Sequence, residues 1–170
     1  MERVDAGELK VATFAGGCFW CTESFFLEEE GVIATQVGYT GGHVENPTYE
    51  QVGAKKTGHA EGLQVIYDPE KTDYNKMLTY FFDSHDPTQL NRQGPDIGPQ
   101  YRGAIFYHDD EQKSLAEAKI KEIEASGKYD DPLVTELNPA VEFYRAEEYH
   151  QRYYKVKGLD LDSVKKLKGY

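Results

Sequence analysis

The chain has 170 residues, 39% hydrophobic and 29% charged, a composition that builds a buried core and argues against disorder. Thirty acidic against nineteen basic residues give a formal net charge of −11, which repels nucleic-acid phosphates and anionic lipid, so neither is an expected partner. The charged opening MERVDAGELK and the lack of any apolar run of membrane-spanning length predict a cytoplasmic protein without a signal peptide or membrane span.

LKVATFAGG (9–17) has strand-like content closed by two glycines, and Cys18 then opens a helical run in which Phe19/Phe26 and Trp20/Leu27 repeat at seven. GVIATQVGYTGG (31–42) reads as a strand ending in a turn, followed by a loop to about Gly58 and a further strand at EGLQVIYDP (61–69). A helix behind a Thr72 or Asp73 cap places Tyr74, Met77, Leu78, Phe81 and Phe82 on one face. The stretch 86–100 carries three prolines and two glycines and is predicted to be a long coil, of the kind that often serves function. YRGAIFYH is the next strand, and a helix over about 110–126 presents Ala116, Ile120 and Ile123 before a Gly127 stop. LVTEL follows as a short strand. The last thirty residues hold an aromatic cluster, FYRAEEYHQRYY, and a polar end, 157–170. With no repeat or linker to divide it, the chain is predicted to be one domain, 1–170, with an α+β layer of helices on a mixed sheet.

The two cysteines, Cys18 and Cys21, frame the chemical question in GGCFWCTE (16–23). A structural disulfide is not expected in a reducing compartment, and a three-residue spacing closes too small a loop to stabilise a fold. A helix amino terminus favours negative charge, so Cys18 is expected to have a lowered pKa. Residues three apart on a regular helix have Cβ atoms ~5–6 Å apart, whereas a disulfide needs roughly 3.5–4.5 Å, so a bond between them requires distortion of the first turn. A structural zinc needs four ligands, and none of the five histidines is spaced to pair with another; no metal is expected.

GGCFWCTE together with VGYTGG (37–42), GHAEGLQVIYDP (58–69), GPDIGPQYRGAIFY (94–107) and FYRAEEYHQRYY (143–154) resembles the peptide methionine sulfoxide reductase A family, in order over about residues 9–156. The resemblance implies an α+β two-layer sandwich with a ferredoxin-like core and extensive coil, and reduction of the S-epimer of methionine sulfoxide, free or in proteins, without a bound cofactor. A sulfoxide sulfur is electrophilic and its oxygen leaves poorly, so the reaction needs a thiolate and an acid. Cys18 matches the family's nucleophile and Glu61 its acid, an assignment that needs a carboxyl pKa raised by burial. Tyr39 and Tyr101 match tyrosines that donate to the sulfoxide oxygen, Asp96 a site aspartate, and Phe19 and Trp20 the wall that receives the substrate methyl.

Many members resolve the oxidised nucleophile with a cysteine in the carboxy-terminal tail, but residues 155–170 contain none, which leaves Cys21 as the internal candidate. The expected cycle runs from a Cys18 sulfenic acid to a Cys18–Cys21 disulfide reduced by thioredoxin, with a small thiol as the other possible reductant and a monomer as the working form. The alternatives are a general C-x-x-C thiol-disulfide oxidoreductase, which leaves Glu61, Tyr39 and Tyr101 without a task, and a tyrosine-rich binding module with incidental thiols.

Overall fold

A computed structural model describes residues 2–169. A one-turn helix α1 (Glu2–Asp5) precedes β1 (Lys10–Gly16), α2 (Phe19–Ser24), β2 (Val32–Thr40), α3 (Tyr49–Gly53), β3 (Ala60–Tyr67) and α4 (Tyr74–Asp83). A two-residue hairpin, β4 (Arg92–Gln93) and β5 (Asp96–Ile97), and a 3-10 turn at Pro99–Tyr101 lead into β6 (Gly103–Tyr107) and α5 (Asp110–Ala125). The chain closes with β7 (Glu136–Pro139), β8 (Phe143–Arg145), a 3-10 turn at Glu148–His150, α6 (Tyr153–Val156) and α7 (Leu161–Lys168).

The main sheet has the order β7-β6-β1-β3-β2-β8, antiparallel except for the parallel β6–β7 pair. Its central four strands with α2 and α4 form the split β-α-β arrangement of a ferredoxin-like core, in which β3 runs between the parallel β1 and β2. The expected α+β class holds. One row of register partners, Ile105, Phe14, Leu63 and Val37, crosses the four strands on the helix-covered face, and all four are fully buried. Phe14 stacks on Phe81 and Tyr74 of α4 and on Phe26 at centroid distances of 4.8, 6.1 and 5.9 Å. A side chain so enclosed is worth about 3–5 kcal/mol against alanine.

The helix expected over 74–83 forms with all five predicted apolar residues buried, and Asp73 rather than Thr72 caps it by accepting the Lys76 N–H at 2.8 Å. Asp109 caps α5, and Gly127 follows it at φ 71°, where a side chain would strain the backbone. Other elements differ from the sequence reading. The helix opened by Cys18 stops at Ser24, although Phe26 still reaches the core through a turn. The loop before Gly58 contains α3, held by a capping box between Thr48 and Gln51, and the 86–100 coil contains the β4–β5 hairpin. LVTEL shifts toward its carboxy end, with β7 starting at Glu136. Within the polar end, α7 packs inward through the fully buried Val164.

Two residues beyond the core row, on the same face, stand Gly103 opposite Gly16 and Glu61 opposite Tyr39. A Cβ at Gly16 would lie 3.0 Å from both His85 Nδ1 and Phe81, so the glycine lets α4 close against the strand end. β1 and β2 finish where β3 and β6 begin, which gathers their terminal side chains at one end of the sheet.

Candidate active site

Gly17 connects β1 to α2 at φ 93°, and a Cβ there would meet the Gln93 side chain at 2.8 Å; this position demands glycine on both counts. Cys18 follows as the N-cap of α2 with φ −59° and ψ 120°, outside helical geometry, and its carbonyl accepts the Cys21 and Thr22 N–H groups. Because Cys18 is not a helical residue, the Cβ separation expected within a regular turn does not apply. The two reduced thiols lie in one packed cluster and shift each other's ionisation.

The expected lowering of the Cys18 pKa is corrected. Its thiol is pushed well above the ordinary range by the hydrogen bond to Cys21, by burial, and by the charges of Cys21 and Glu61. Cys18 makes no side-chain cap hydrogen bond, and α2 is only six residues long, so the helix terminus is outweighed. Cys21 moves the other way, to about 7, chiefly through the hydrogen bond from Cys18, with help from Lys168 and Tyr154 against burial and Asp96, so the pair gives up its first proton near neutral pH.

Glu61 is 3% exposed, and its Oε1 accepts the Phe19 N–H at 3.3 Å. Burial raises its pKa to about 8, reinforced by the charges of Asp96 and Cys21, so the carboxyl is largely protonated at neutral pH. Tyr39 is its cross-strand neighbour, fully buried, with its hydroxyl donating to Glu147 Oε1 at 3.2 Å. Tyr101, at the end of the 3-10 turn, has its pKa raised by burial first and then by Glu61, Tyr49, Asp96 and Cys18.

Of the residues assigned from sequence, Glu61 accepts the Phe19 N–H and pairs with Tyr39 across the strands, and its charge acts on Cys18 and Tyr101. Asp96, whose charge acts on Glu61 and Tyr101, also borders a cavity of about 130 Å³ lined by Cys18, Cys21, Gln93 and Lys168. Phe19 is 1% exposed and packs on Tyr39 and His150 at 5.8 and 5.2 Å, an enclosed position rather than an open wall. Trp20 turns toward the carboxy-terminal segment. Its ring stacks on Tyr153 at 3.8 Å and 8°, and its indole N–H donates to His150 Nδ1 at 3.0 Å.

His150, Glu147, Tyr49, Tyr153 and Tyr154 join the site with no role expected for them from the sequence. With Trp20 donating to Nδ1, and burial lowering the pKa of the imidazole, neutral His150 carries its proton on Nε2, 3.7 Å from Glu147 Oε2. The same carboxylate accepts from Tyr39 and from the Tyr49 backbone, while His150 Nε2 is buried without a hydrogen-bond partner of its own. Tyr49 stands at the start of α3, its pKa raised by burial, Glu61 and Cys18. The aromatic run FYRAEEYHQRYY was the available signal, but only the fold shows which of its members turn inward. Among the described residues no group of three or more His, Cys, Asp or Glu is placed to hold a metal ion, and no helix is long and apolar enough to cross a membrane.

The family model for peptide methionine sulfoxide reductase matches residues 10–167. A peptide methionine sulfoxide reductase MsrA of Methanosarcina acetivorans is 55% identical over 150 residues, covering 88% of this chain and 80% of the relative. Its counterpart in Geobacter metallireducens is 50% identical over 151 residues, covering 89% and 93%. Among solved structures, reduced Mxr1 from Saccharomyces cerevisiae aligns with a TM-score of 0.81 at 37% identity, covering 89% of this chain and 87% of that one. Mxr1 has also been solved in complex with Trx2, a structure that aligns with a TM-score of 0.59 at 30% identity over 86% of each chain. The chain belongs to the peptide methionine sulfoxide reductase A family and is a thiol-dependent oxidoreductase that reduces methionine sulfoxide.

Proposed function

We propose that Cys18, giving up its proton to the neighbouring Cys21 thiolate, attacks the sulfur of an S-epimer methionine sulfoxide while Glu61 delivers a proton to its oxygen. The observation that carries this reading is Glu61 itself: buried, protonated near neutral pH, and hydrogen-bonded to the backbone N–H next to Cys18. A positioned acid of this kind contributes about 10²–10⁴-fold. Oε1 is engaged by Phe19, which leaves Oε2 for the proton. The Cys18 sulfur gives two electrons and takes the oxygen, so thiol plus sulfoxide becomes sulfenic acid plus thioether. Tyr39 and Tyr101 orient the oxygen, for which the Tyr39 hydroxyl turns away from Glu147, while Phe19, Trp20 and Asp96 complete the substrate surroundings.

In the second half, Cys21 condenses with the sulfenic acid, forming the disulfide and releasing water. The Cys21 pKa near 7 and the direct contact between the thiols support this role, because a thiol resolves best when its pKa is close to ambient pH. Thioredoxin then reduces the disulfide; a small thiol is the alternative donor. The enzyme acts as a monomer in the cytoplasm, where its thiols stay reduced, and residues 1–170 work as one domain, supported by the packing of α7 on the Cys21 cluster.

The test compares reduction of methionine sulfoxide with reduction of insulin disulfides, using Cys18→Ser as the control. Stereospecific sulfoxide reduction that vanishes in Cys18→Ser is expected. Efficient insulin reduction with no sulfoxide activity would return the chain to a general disulfide oxidoreductase.

A further inference from the structure

The last carboxylate of GGCFWCTE, Glu23, has no part in the chemistry above, yet it is 1% exposed. One of its oxygens accepts the Thr35 hydroxyl of β2 at 2.7 Å, and the other accepts the backbone N–H of Arg152 at 2.9 Å. Arg152 sits at φ 50° and ψ 42°, a left-handed conformation that strains a side-chain-bearing residue and persists only where its surroundings hold it. It is the N-cap of α6 and makes no side-chain capping bond of its own. One residue earlier, Gln151 pins the same strand of chain by bonding both the N–H and the carbonyl of Val37, at 2.9 and 3.0 Å.

The two residues that follow Arg152 are the ones that meet the thiol helix. Tyr153 stacks face to face on Trp20, and the Tyr154 hydroxyl lies 4.0 Å from Cys21 Sγ. We propose that Glu23 is a positioning residue: its buried carboxylate holds Arg152 in the left-handed turn that lays Tyr153 on the Trp20 ring and Tyr154 on the Cys21 sulfur. Trp20, Cys21 and Glu23 share α2, so the helix that carries the thiols also carries the anchor for the aromatic pair packed on them. Glu23 thereby sets the orientation of Trp20 toward substrate; that consequence rests on the functional reading above, while the anchoring itself does not.

Trp20 is the only tryptophan, so intrinsic fluorescence reports its stack directly. Glu23→Ala is expected to change the Trp20 emission and to raise KM for free methionine sulfoxide about tenfold, the size of one lost buried hydrogen-bond partner, with the saturated first-turnover rate within about twofold of wild type. Adding Arg152→Gly to Glu23→Ala should restore emission and KM toward wild type, because glycine adopts the left-handed turn without an anchor. A merely structural loss would not be rescued by a second change that removes a side chain. Glu23→Gln, which keeps an acceptor for Arg152, should stay close to wild type. Unchanged emission and KM in Glu23→Ala, or no rescue by Arg152→Gly, would overturn the proposal. If Glu23→Ala does not fold, Thr35→Val removes the other hydrogen bond and is read the same way: shifted emission and KM support the anchor, and wild-type values overturn it. A shifted emission in a protein whose wild type reduces no sulfoxide would overturn the functional reading and leave the anchor standing.

Discussion

The two sides of Cys18 are built from different materials. On the sheet side, Glu61 and Tyr39 come from neighbouring strands at fixed register, and both are buried. On the other side, Cys21 meets Tyr154 and Val164 of the carboxy-terminal helices, and the adjoining cavity is bordered by the exposed Lys168. In the proposed mechanism, strand register sets the proton donor against the nucleophile, while packing of α6 and α7 sets the resolving thiol. The contrast teaches that sulfoxide reduction and recovery of the thiols rest on separate parts of the structure and should separate under mutation.

The largest effect, and the one that would collapse the comparison, is expected from Cys18→Ser, which serves both sides. Sulfoxide reduction should disappear, and stereospecific turnover remaining in that variant would move the nucleophile elsewhere.

Glu61→Gln breaks the sheet side alone. Its single-turnover rate should fall by about 10²–10⁴-fold. The wild-type rate should decline as pH rises through about 8, where Glu61 loses its proton, and the variant should lack that step. The same group has a sign for stability. Its folded pKa lies above the ordinary carboxyl value of about 4.5, so its contribution favours the folded state at low pH and is lost as pH rises from about 4.5 through about 8. Glu61→Gln should therefore weaken the fall in unfolding free energy across that window, as measured by denaturant titration at several pH values.

Cys21→Ser breaks the other side alone. A stoichiometric reaction without reductant should still yield one methionine per enzyme, with the sulfenic acid trapped, while thioredoxin-coupled turnover drops at least about tenfold because no disulfide forms. Unchanged coupled turnover would make Cys21 a bystander.

Lys168→Gln sharpens the contrast with the smallest expected change. Removing this cation should move the Cys21 ionisation upward from about 7, by less than about one pH unit because the lysine is solvent-screened, and should leave the Glu61 step in place. Rates of thiol alkylation against pH would measure it.

Much of the frame was legible because its signals are local. Alternating and continuous apolar runs marked β1, β2, β3 and β6, the 3.6-residue stripe marked α4, and paired glycines marked the turn before Cys18. Cys18 stood out by its place after the glycine turn, whereas Glu61 was named by resemblance alone; the structure buries Glu61 and raises its pKa to about 8. Short elements escaped: α3 was hidden in a loop although Thr48 and Gln51 spell a capping box, and α7 read as a polar end because a single buried Val164 secures it.

What the sequence alone determined is the inventory and its spacing: two thiols behind a glycine turn and a strand that bears Glu61. Ionisation was left to the tertiary structure. A helix-start rule gave Cys18 the lowered pKa, whereas contact with Cys21 and the approach of Glu61 and Lys168, from distant parts of the chain, raise Cys18 and lower Cys21. Placement of Trp20 was also a tertiary matter, since its partners His150 and Tyr153 stand 130 and 133 positions away. Local signals register propensity and period; pKa values and ring orientation depend on burial and on charges brought together through space, and only the folded chain supplies those.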